Sequence, residues 1–442
     1  MTSSTPSAPS TASTASTEQN SYRKLFSPPG SLAFSAAVLV ARFPMGMLSL
    51  AGTLLVTGLH HGYTLAGLGG AVVLATIALA GPQQARLVDT YGQSRVSRPA
   101  ALIAAAGAAG VVLTLHQNAP VWAYLVCCAV SALGPNTGSL ARSRWAHLHA
   151  GDAAALHTAY AYEGVLDELC FVLGPLAVLA LVAGFSPLLA YAAAEALALG
   201  GVLALSAQRR TEPPLAGGES ATASAEGAGT AGRAGRRSAL RSPGLPALVL
   251  VLAATGAVFG TQEITTVGFA QHLGARDRAG LVLSCYALGS CLSGVLLGLW
   301  KPRGRPVVRL RIALAAMAVT LAPLTLVRSL PEAAAVLFVA GFTTAPTVST
   351  AIGYVAELVP AGRLTEGFTW TTTGLMVGNA AGTALAGRLV DTAAPGAGYR
   401  LPAVAAALAL AASLLLPRAI RCGAAPADDA EAAHSPREGD AR

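Results

Sequence analysis

Long apolar stretches alternate with short polar segments along most of the chain. Twelve of these stretches have the length that crosses a lipid bilayer, which is about 20 residues for a helix. They lie at residues 31–58, 63–84, 99–116, 119–142, 157–182, 186–207, 246–270, 279–300, 311–328, 331–358, 366–390 and 399–418. In lipid, the backbone N–H and C=O groups must form their hydrogen bonds within the protein, and a helix does this within a single segment. The stretches are rich in Ala and Leu and do not alternate between apolar and polar residues, so they predict helices and not the strands of a barrel.

The stretches fall into two groups of six, separated by a polar linker at residues 208–243. The linker is rich in Gly, Ala, Ser and Arg without periodicity, and polar tails flank the whole at residues 1–30 and 420–442. Such segments bury too little apolar surface to order themselves. The sequence therefore predicts an all-α membrane protein of twelve transmembrane helices, with an N-terminal half at 31–207 and a C-terminal half at 244–419.

The two halves repeat each other at a fixed spacing. Residues 66–68 and 279–281 both read Ala-Gly-Leu, and Gly81 corresponds to Gly294, in each case 213 positions apart (279 − 66 and 294 − 81). A repeated half is typical of secondary transporters, whose substrate site lies near the membrane midplane between the repeats. The repeat favours transport as the function.

The composition excludes other classes of protein. Hydrophobic residues make up 53% of the chain and charged residues 11%, and the mean hydropathy is +0.57, so a soluble enzyme is excluded. The 29 basic residues form no patch with aromatic residues, which argues against nucleic acid as a partner. The six cysteines lack zinc-site spacing, and no phosphate-binding G-x-x-x-x-G-K-[ST] motif is present. We expect no metal, no cofactor and no use of ATP.

The distribution of basic residues predicts the orientation. Of the 29 Lys and Arg residues, 23 fall on the side of the termini and the linker, five fall on the other side, and Arg42 lies inside the first span. Cytoplasmic loops carry the excess of positive charge. We therefore expect a multi-pass protein of the bacterial cytoplasmic (inner) membrane with both termini in the cytoplasm.

The loop after the second helix resembles a motif of the major facilitator superfamily. Residues 85–96 read ARLVDTYGQSRV, and Leu87, Asp89 and Gly92 match the pattern G-x-L-x-D-R-x-G-R-R, whereas Ala85 replaces its first glycine and most of its basic positions are missing. Gly174-Pro175 resembles part of the antiporter motif of that superfamily. Residues 142–175 and 365–382 are similar to stretches of actinobacterial efflux members. The resemblance implies the major facilitator fold, export of a small molecule, and a role for Asp89 in gating through hydrogen bonds from a neighbouring helix end.

Charged residues inside the predicted spans are the main candidates for coupling transport to protons. The fifth helix contains Glu163, Asp167 and Glu168, and an ionised group in the bilayer core costs about 2.5 kcal/mol or more. Glu163 and Asp167 are four residues apart, so we expect their charges to repel unless a proton or cation intervenes. Arg42 has the same depth in the first helix as Asp167 in the fifth, which predicts an Arg42–Asp167 pair. The alternative is a structural clamp, in which Arg42, Arg142 and Arg144 neutralise the three acids and nothing titrates.

Neutral and acidic polar residues supply further candidates. Gln262 and Glu263 on the seventh helix are candidates for substrate or proton binding, or else for an outer contact with Arg276 or Arg278. Asn136 on the fourth helix is a substrate candidate, since the resemblance implies that the first, fourth, seventh and tenth helices line the cavity. Hydroxyl groups in the tenth helix can equally serve as contacts between helices.

These observations together predict a monomeric transporter that exports a small molecule in exchange for protons by alternating access. A proton-coupled uptake symporter of the same fold is the first alternative, and a membrane enzyme or sensor that transports nothing is a distant second. The sequence leaves the substrate open, because hydroxyls and amides suit sugars, peptides and drugs alike.

Overall fold

The structure is a computed structural model that describes residues 23–59, 63–215, 238–275, 278–299, 304–392 and 397–417. Most of both predicted tails and the greater part of the predicted linker lie outside the described residues. The bounds of the six helices of the N-terminal half are Ser31–Gly58, Tyr63–Tyr91, Gln93–His116, Val121–Ser131 with Thr137–Leu148, Ala153–Gly184 and Pro187–Ala207. The six helices of the C-terminal half are Leu245–His272, Ala279–Leu299, Pro306–Leu321, Leu330–Leu358, Leu364–Thr392 and Arg400–Ser413. They are called helices 1 to 12 in this order.

The all-α prediction is confirmed, and each predicted apolar stretch corresponds to one helix or helix pair. In the described part of the chain, nine of the twelve are long and apolar enough to cross a membrane. The other three are helix 4, which is interrupted, helix 12, which is short, and helix 11, which is rich in Thr. The described residues contain no strand.

Helix 4 differs from the prediction of one continuous helix over 119–142. It ends at Ser131 and resumes at Thr137. The interruption contains Gly134 and Pro135, and proline can donate no backbone hydrogen bond. Asn136 begins the second segment, because its side-chain oxygen accepts a hydrogen bond from the backbone N–H of Ser139 at 2.9 Å.

Each half has its own apolar core. Met47, Val111 and Tyr191 belong to a cluster formed by helices of the N-terminal half alone. The largest cluster of the C-terminal half contains Tyr160 of helix 5, and Leu156 of the same helix packs against it. The halves therefore have separate cores, and helix 5 contributes to the contact between them.

The helices alternate in direction, which defines two ends of the bundle. We call the end where helix 6 stops at Ala207 and helix 7 starts at Leu245 the linker end. Helix 2 also ends here at Tyr91, and helix 11 begins here at Leu364. The starts of helices 1, 3, 5 and 9 and the ends of helices 4, 8, 10 and 12 lie at the linker end as well, and the other helix termini form the opposite end.

Candidate functional site

A group of four charged side chains occupies the interior of the N-terminal half. Arg42 forms an ion pair with Glu163 and a second with Asp167, in which Nη1 and Oδ1 are 3.1 Å apart. Nη2 of Arg142 donates to the other carboxylate oxygen of Asp167 at 2.7 Å. We call these four residues the charge cluster. Two guanidinium groups and two carboxylates give it no net formal charge, which is how charges are tolerated inside a membrane.

Three helices bring the charge cluster together near mid-depth. Arg42 lies about 16 Å along helix 1, and Asp167 lies about 21 Å along the 46 Å of helix 5, at roughly 1.5 Å per residue. Arg142 belongs to the second segment of helix 4. Gly138, one turn before it, leaves the space that both arginines occupy, since a Cβ there would lie 3.0 Å from Nη1 of Arg142 and 3.5 Å from Nη2 of Arg42.

The two carboxylates of the cluster differ in their surroundings. The side chain of Glu163 is 0% exposed, whereas that of Asp167 is 25% exposed. Glu163 also accepts a hydrogen bond from Nε1 of Trp145 at 2.7 Å. Asp167 is thus the one carboxylate of the cluster that a proton or cation can reach directly.

The arrangement shows how the predicted charges are paired. The cation between Glu163 and Asp167 is the guanidinium group of Arg42, which contacts both. Arg144 does not belong to the clamp, since it donates to Gln93 Oε1 at 2.7 Å and to Thr211 Oγ1 at 2.7 Å near the linker end. The Arg42–Asp167 contact predicted from their shared depth is present. The role of both residues in transport stays a prediction.

Glu168 points away from the charge cluster, towards the other half. Its Oε1 accepts a hydrogen bond from Oγ of Ser290 on helix 8 at 2.7 Å. Further along the same region, the hydroxyls of Tyr286 and Thr344 are 2.7 Å apart. Glu168 is therefore the acidic candidate that joins the two halves.

The candidates on helix 7 lie apart from the charge cluster. Gln262 is buried, and its Oε1 has no hydrogen-bond partner among the described residues. Glu263 is exposed and forms no ion pair within the described part of the chain. The alternative contact with Arg278 is not formed, and Arg276 lies outside the described residues.

Asn136 does not reach the charge cluster as a ligand, because its side chain caps the second segment of helix 4. It lines a small cavity of about 10 Å³ together with Thr365 and Thr369 of helix 11. This places the interruption of helix 4 against the other half of the protein. Sequence reasoning missed the capping role, although an Asn directly after Gly-Pro is a recognisable helix start.

Asp89 connects the two halves at the linker end. Its carboxylate oxygens accept hydrogen bonds from the backbone N–H groups of Thr365 at 3.2 Å and Glu366 at 2.8 Å. These are the first residues of helix 11, where unpaired N–H groups and the helix dipole favour a negative charge. The contact with a neighbouring helix end that the resemblance implied is present.

The other two residues of the motif lie within and directly after the last turns of helix 2, which extends to Tyr91 and so includes more than half of the predicted loop. Leu87 is exposed. Gly92 has a φ of +98° between helices 2 and 3, a conformation that side chains with a Cβ rarely adopt. The three matching positions thus consist of one residue that contacts the other half, one that permits the turn, and one on the surface.

A second pair of inter-half contacts was not anticipated from the sequence. At the start of helix 5, His157 Nε2 lies 3.2 Å from the carbonyl oxygen of Leu297, and Thr158 Oγ1 donates to that of Gly298 at 3.0 Å. Both carbonyls belong to the last turn of helix 8. A His-Thr pair in the first turn of a helix carries no distinctive signal, so these residues could be found only by knowing which helix ends meet.

Five hydrogen bonds between the halves lie between mid-depth and the linker end. They join Asp89 to helix 11, and His157, Thr158 and Glu168 to helix 8. The rings of Tyr160 and Phe368 add an edge-to-face contact with centroids 5.8 Å apart. The halves are thus closed against each other at the linker end.

The charge cluster has no features of a metal site. No group of three or more His, Cys, Asp or Glu side chains that could hold a metal ion occurs among the residues described. Both carboxylates of the cluster are already occupied by arginines. The arrangement can bind or release a proton, or admit a cationic or hydrogen-bonding substrate beside Asp167.

Comparison with known proteins identifies the architecture. The family described as Major Facilitator Superfamily matches residues 263–438. The human organic anion transporter MFSD10 (TETRAN) has a TM-score of 0.68 with 18% identity, over 88% of this chain and 100% of that chain. A bacterial homologue of the iron transporter ferroportin, in its outward-facing state, has a TM-score of 0.68 with 14% identity, over 87% and 97%. The chain has the major facilitator fold.

FucP, a fucose:proton symporter of E. coli, shares this fold as well. Its outward conformation has a TM-score of 0.60 with 13% identity and covers 87% of this chain and 98% of that chain. No curated protein matches the sequence. These likenesses extend over 87–88% of this chain and therefore over both halves.

Proposed function

We propose that the protein is a secondary transporter that exports a small molecule from the bacterial cytoplasm in exchange for protons, by alternating access. The major facilitator fold and the two separately packed halves support transport by rocking of one half against the other. The excess of basic residues at the linker end supports a cytoplasmic location for that end. Export, rather than uptake, rests on the resemblance to efflux members.

The observation that carries the proposal is the environment of Asp167. Its two oxygens are held by two different arginines, and it is the accessible carboxylate of the charge cluster. A proton on Asp167 weakens both ion pairs at once. Arg42 keeps its second partner, Glu163, whereas the one ion pair of Arg142 among the described residues is lost.

Release of Arg142 can act on the closed end of the protein. Arg142 belongs to the second segment of helix 4, whose first residues face Thr365 and Thr369 of helix 11. Helix 11 also begins at the two N–H groups held by Asp89. We therefore infer that protonation of Asp167 shifts the equilibrium between the state closed at the linker end and the state open there.

The structure corresponds, in this proposal, to the outward-facing state. The linker end is closed by the contacts of Asp89, His157 and Thr158. The similar structures of FucP and of the ferroportin homologue are also of outward-facing states. A proton arriving from outside would then reach Asp167 through the opposite end. Its binding would favour return to the inward-facing state, where substrate is loaded.

Proton movement in reconstituted vesicles tests the function. Proteoliposomes containing the pH dye pyranine are exposed to gradients of sugars, dipeptides and cationic dyes in turn. We expect a subset of compounds to drive protons in the direction opposite to their own movement. Movement of both in the same direction would establish the uptake symporter instead, and compound flux without any proton movement would overturn proton coupling.

Asp167→Asn tests the assignment of the coupling residue. We expect this variant to lose compound-driven proton movement but to keep exchange of labelled for unlabelled compound, because exchange requires no net proton transfer. Glu168→Gln is the matched comparison, since Glu168 lies next in sequence and bonds to helix 8 instead. Intact proton coupling in well-expressed Asp167→Asn would remove Asp167 from the mechanism and direct attention to Glu163 or Glu168.

A further inference from the structure

A cavity of about 430 Å³ lies on the surface of the linker end, far from the charge cluster. The start of helix 3 forms one wall, and the segment that follows helix 6 forms the other. Three arginines line it, namely Arg95, Arg98 and Arg209, together with one acid, Glu212. The cavity therefore has an excess of positive charge.

The arginines of this cavity are largely free to bind a ligand. The side chains of Arg95 and Arg209 are exposed and have no hydrogen-bond or ion-pair partner within the described part of the chain. Arg98 uses Nη2 to donate to the carbonyl oxygen of Ser206 at 2.8 Å, which fixes its guanidinium at the wall. Unlike the arginines of the charge cluster, these face no compensating carboxylate of their own.

Glu212 forms no ion pair with Arg95 or Arg209 within the described part of the chain. Its Oε1 accepts from the backbone N–H of Ser94 at 2.9 Å and its Oε2 accepts from the Ser94 hydroxyl at 2.5 Å, so both oxygens are directed at the first turn of helix 3. The carboxylate thus occupies the helix terminus and holds the post-helix-6 segment in place. The guanidinium groups of Arg95 and Arg209 remain available for an anion.

The cavity continues into an apolar surface that would face lipid. Leu102 and Ile103 lie four residues after Arg98 and Pro99, hence one turn deeper on the same face of helix 3, and both are exposed. Tyr91 and Leu215, which are also exposed, form part of the rim. A cationic pocket at the depth of the helix ends, next to an exposed apolar helix face, matches a molecule with a phosphate and an acyl chain.

We infer that this cavity binds the phosphate group of an anionic phospholipid in the leaflet at the linker end. Arginine suits this ligand, since its planar fork donates two parallel hydrogen bonds to phosphate oxygens. Basic pockets between membrane helices recognise anionic headgroups in this way. A soluble phosphate ester offers the same anionic group but would make no use of Leu102 and Ile103.

The bound headgroup would join two parts of the N-terminal half that the chain connects only distantly. Arg95 and Arg98 lie in the first turns of helix 3, directly after the end of helix 2 that carries Asp89, and Arg209 follows helix 6. The inference concerns binding and does not depend on what the protein transports. It can therefore be tested without a known substrate.

Native mass spectrometry of the purified full-length protein tests the site. The protein is titrated with phosphatidylglycerol, with phosphatidylcholine, and with phosphatidylglycerol in the presence of millimolar inorganic phosphate. The informative variant is Arg95→Gln/Arg209→Gln, because neither side chain has a partner that folding requires. The control is Arg210→Gln/Arg305→Gln, which removes two exposed positive charges from the same end but outside the cavity.

We expect wild type to bind phosphatidylglycerol more tightly than phosphatidylcholine, and inorganic phosphate not to displace it. Each basic residue near an anionic headgroup contributes about fivefold in affinity, so the double variant should bind about 25-fold more weakly while the control is unchanged. Equal binding of both lipids, or equal losses in variant and control, would overturn the proposal. If inorganic phosphate displaces phosphatidylglycerol from wild type, and the double variant no longer shows this competition, the site binds a soluble anion. That result would overturn the proposal of a phospholipid.

Discussion

Two helix pairs with equivalent places in the two halves are held together in different ways. Helices 1 and 5 approach closely at Gly46 and Gly174, and the charge cluster then links them through Arg42. Helices 7 and 11 approach at several glycines along their length, among them Gly256 and Gly378. Within the described ranges, no ion pair joins helix 7 to helix 11.

Under the proposed proton coupling, the difference assigns the response to a proton to the N-terminal half. A contact in which a glycine packs directly on the backbone of the facing helix has a single arrangement, since any displacement only loses packing. An ion-paired contact has a second arrangement, because a proton removes one charge and changes the partner of an arginine. Coupling therefore fits helices 1 and 5, whereas helices 7 and 11 fit the role of a rigid support.

The largest expected effect comes from breaking the ion-paired contact. Arg42→Gln leaves Glu163 buried at 0% exposure without its arginine. Loss of one partner of a buried ion pair costs about 3–5 kcal/mol, so we expect little folded protein and a markedly lower melting temperature by fluorescence-detected size-exclusion chromatography. Glu163→Gln added to Arg42→Gln should restore most of the abundance.

Lys24→Gln serves as the control for this variant. It breaks an ion pair with Asp152 in the same half, at 2.7 Å, but the lysine side chain is 68% exposed. Exposed ion pairs contribute about 0–1 kcal/mol, so the melting temperature should barely change. Equal stability of Arg42→Gln and Lys24→Gln would contradict the inference that the contact between helices 1 and 5 depends on the ion pairs of Arg42.

The next effect comes from breaking the glycine contact. In Gly378→Ala the added Cβ would overlap the carbonyl oxygen of Ala253 on helix 7. Forcing atoms into a packed contact costs about 1–3 kcal/mol, and here the obstacle is backbone, so we expect destabilisation at least in that range. Gly387→Ala on the same helix meets no atom within 4 Å and should be neutral or slightly stabilising. A stable Gly378→Ala protein would show that helices 7 and 11 can separate.

Much of the fold followed from hydrophobic length alone. The bounds of helix 6 and helix 10 were predicted within one or two residues, because lipid makes long apolar runs unambiguous. Helix 4 was predicted as continuous, since its composition is apolar enough to mask the break at Gly134-Pro135. The predicted start of helix 3 was late, because Arg95 and Arg98 lie in its first turns and hydropathy does not distinguish a polar helical turn from a loop.

The candidate site was predictable only in part. The equal depth of Arg42 and Asp167 in their helices predicted the contact between them. It did not predict that Arg42 also contacts Glu163, or that Arg144 points away from the charge cluster. Such outcomes depend on the rotation of each helix about its axis. That rotation is fixed by packing against neighbours, which a single sequence does not contain.

A smaller effect is expected where helix 2 meets helix 11 at the linker end. Asp89→Asn keeps one acceptor for the N–H groups of helix 11 but removes the negative charge that the helix dipole favours. The interaction of this charge with the helix dipole contributes about 1 kcal/mol. Spin labels at Arg210→Cys and Arg305→Cys, in a cysteine-free background, should show a larger population with a separated linker end. Asp152→Asn is the control, because Asp152 also accepts from a helix N–H, at Ala155, but within one half. An unchanged distance distribution in Asp89→Asn would show that this contact does not hold the end closed.

An effect of similar size but opposite sign is expected at Tyr160. The ring of Tyr160 packs on Phe368 across the halves, yet its buried hydroxyl has no hydrogen-bond partner among the described residues. An unpaired buried polar group costs about 1–3 kcal/mol, so the closed linker end is stable in spite of this hydroxyl. Tyr160→Phe should therefore stabilise closure and reduce the population with a separated linker end by about fivefold, or about 1 kcal/mol.

The same spin-label pair measures this shift, and Tyr286→Phe provides the comparison. The Tyr286 hydroxyl bonds to Thr344 inside the C-terminal half, so its loss should lower the melting temperature without moving the linker end. A larger population with a separated linker end in Tyr160→Phe would mean that the hydroxyl is bonded in the closed state after all. A decrease would show that closure between the helix pairs is held below its maximum strength, which is what a transporter that must open again requires.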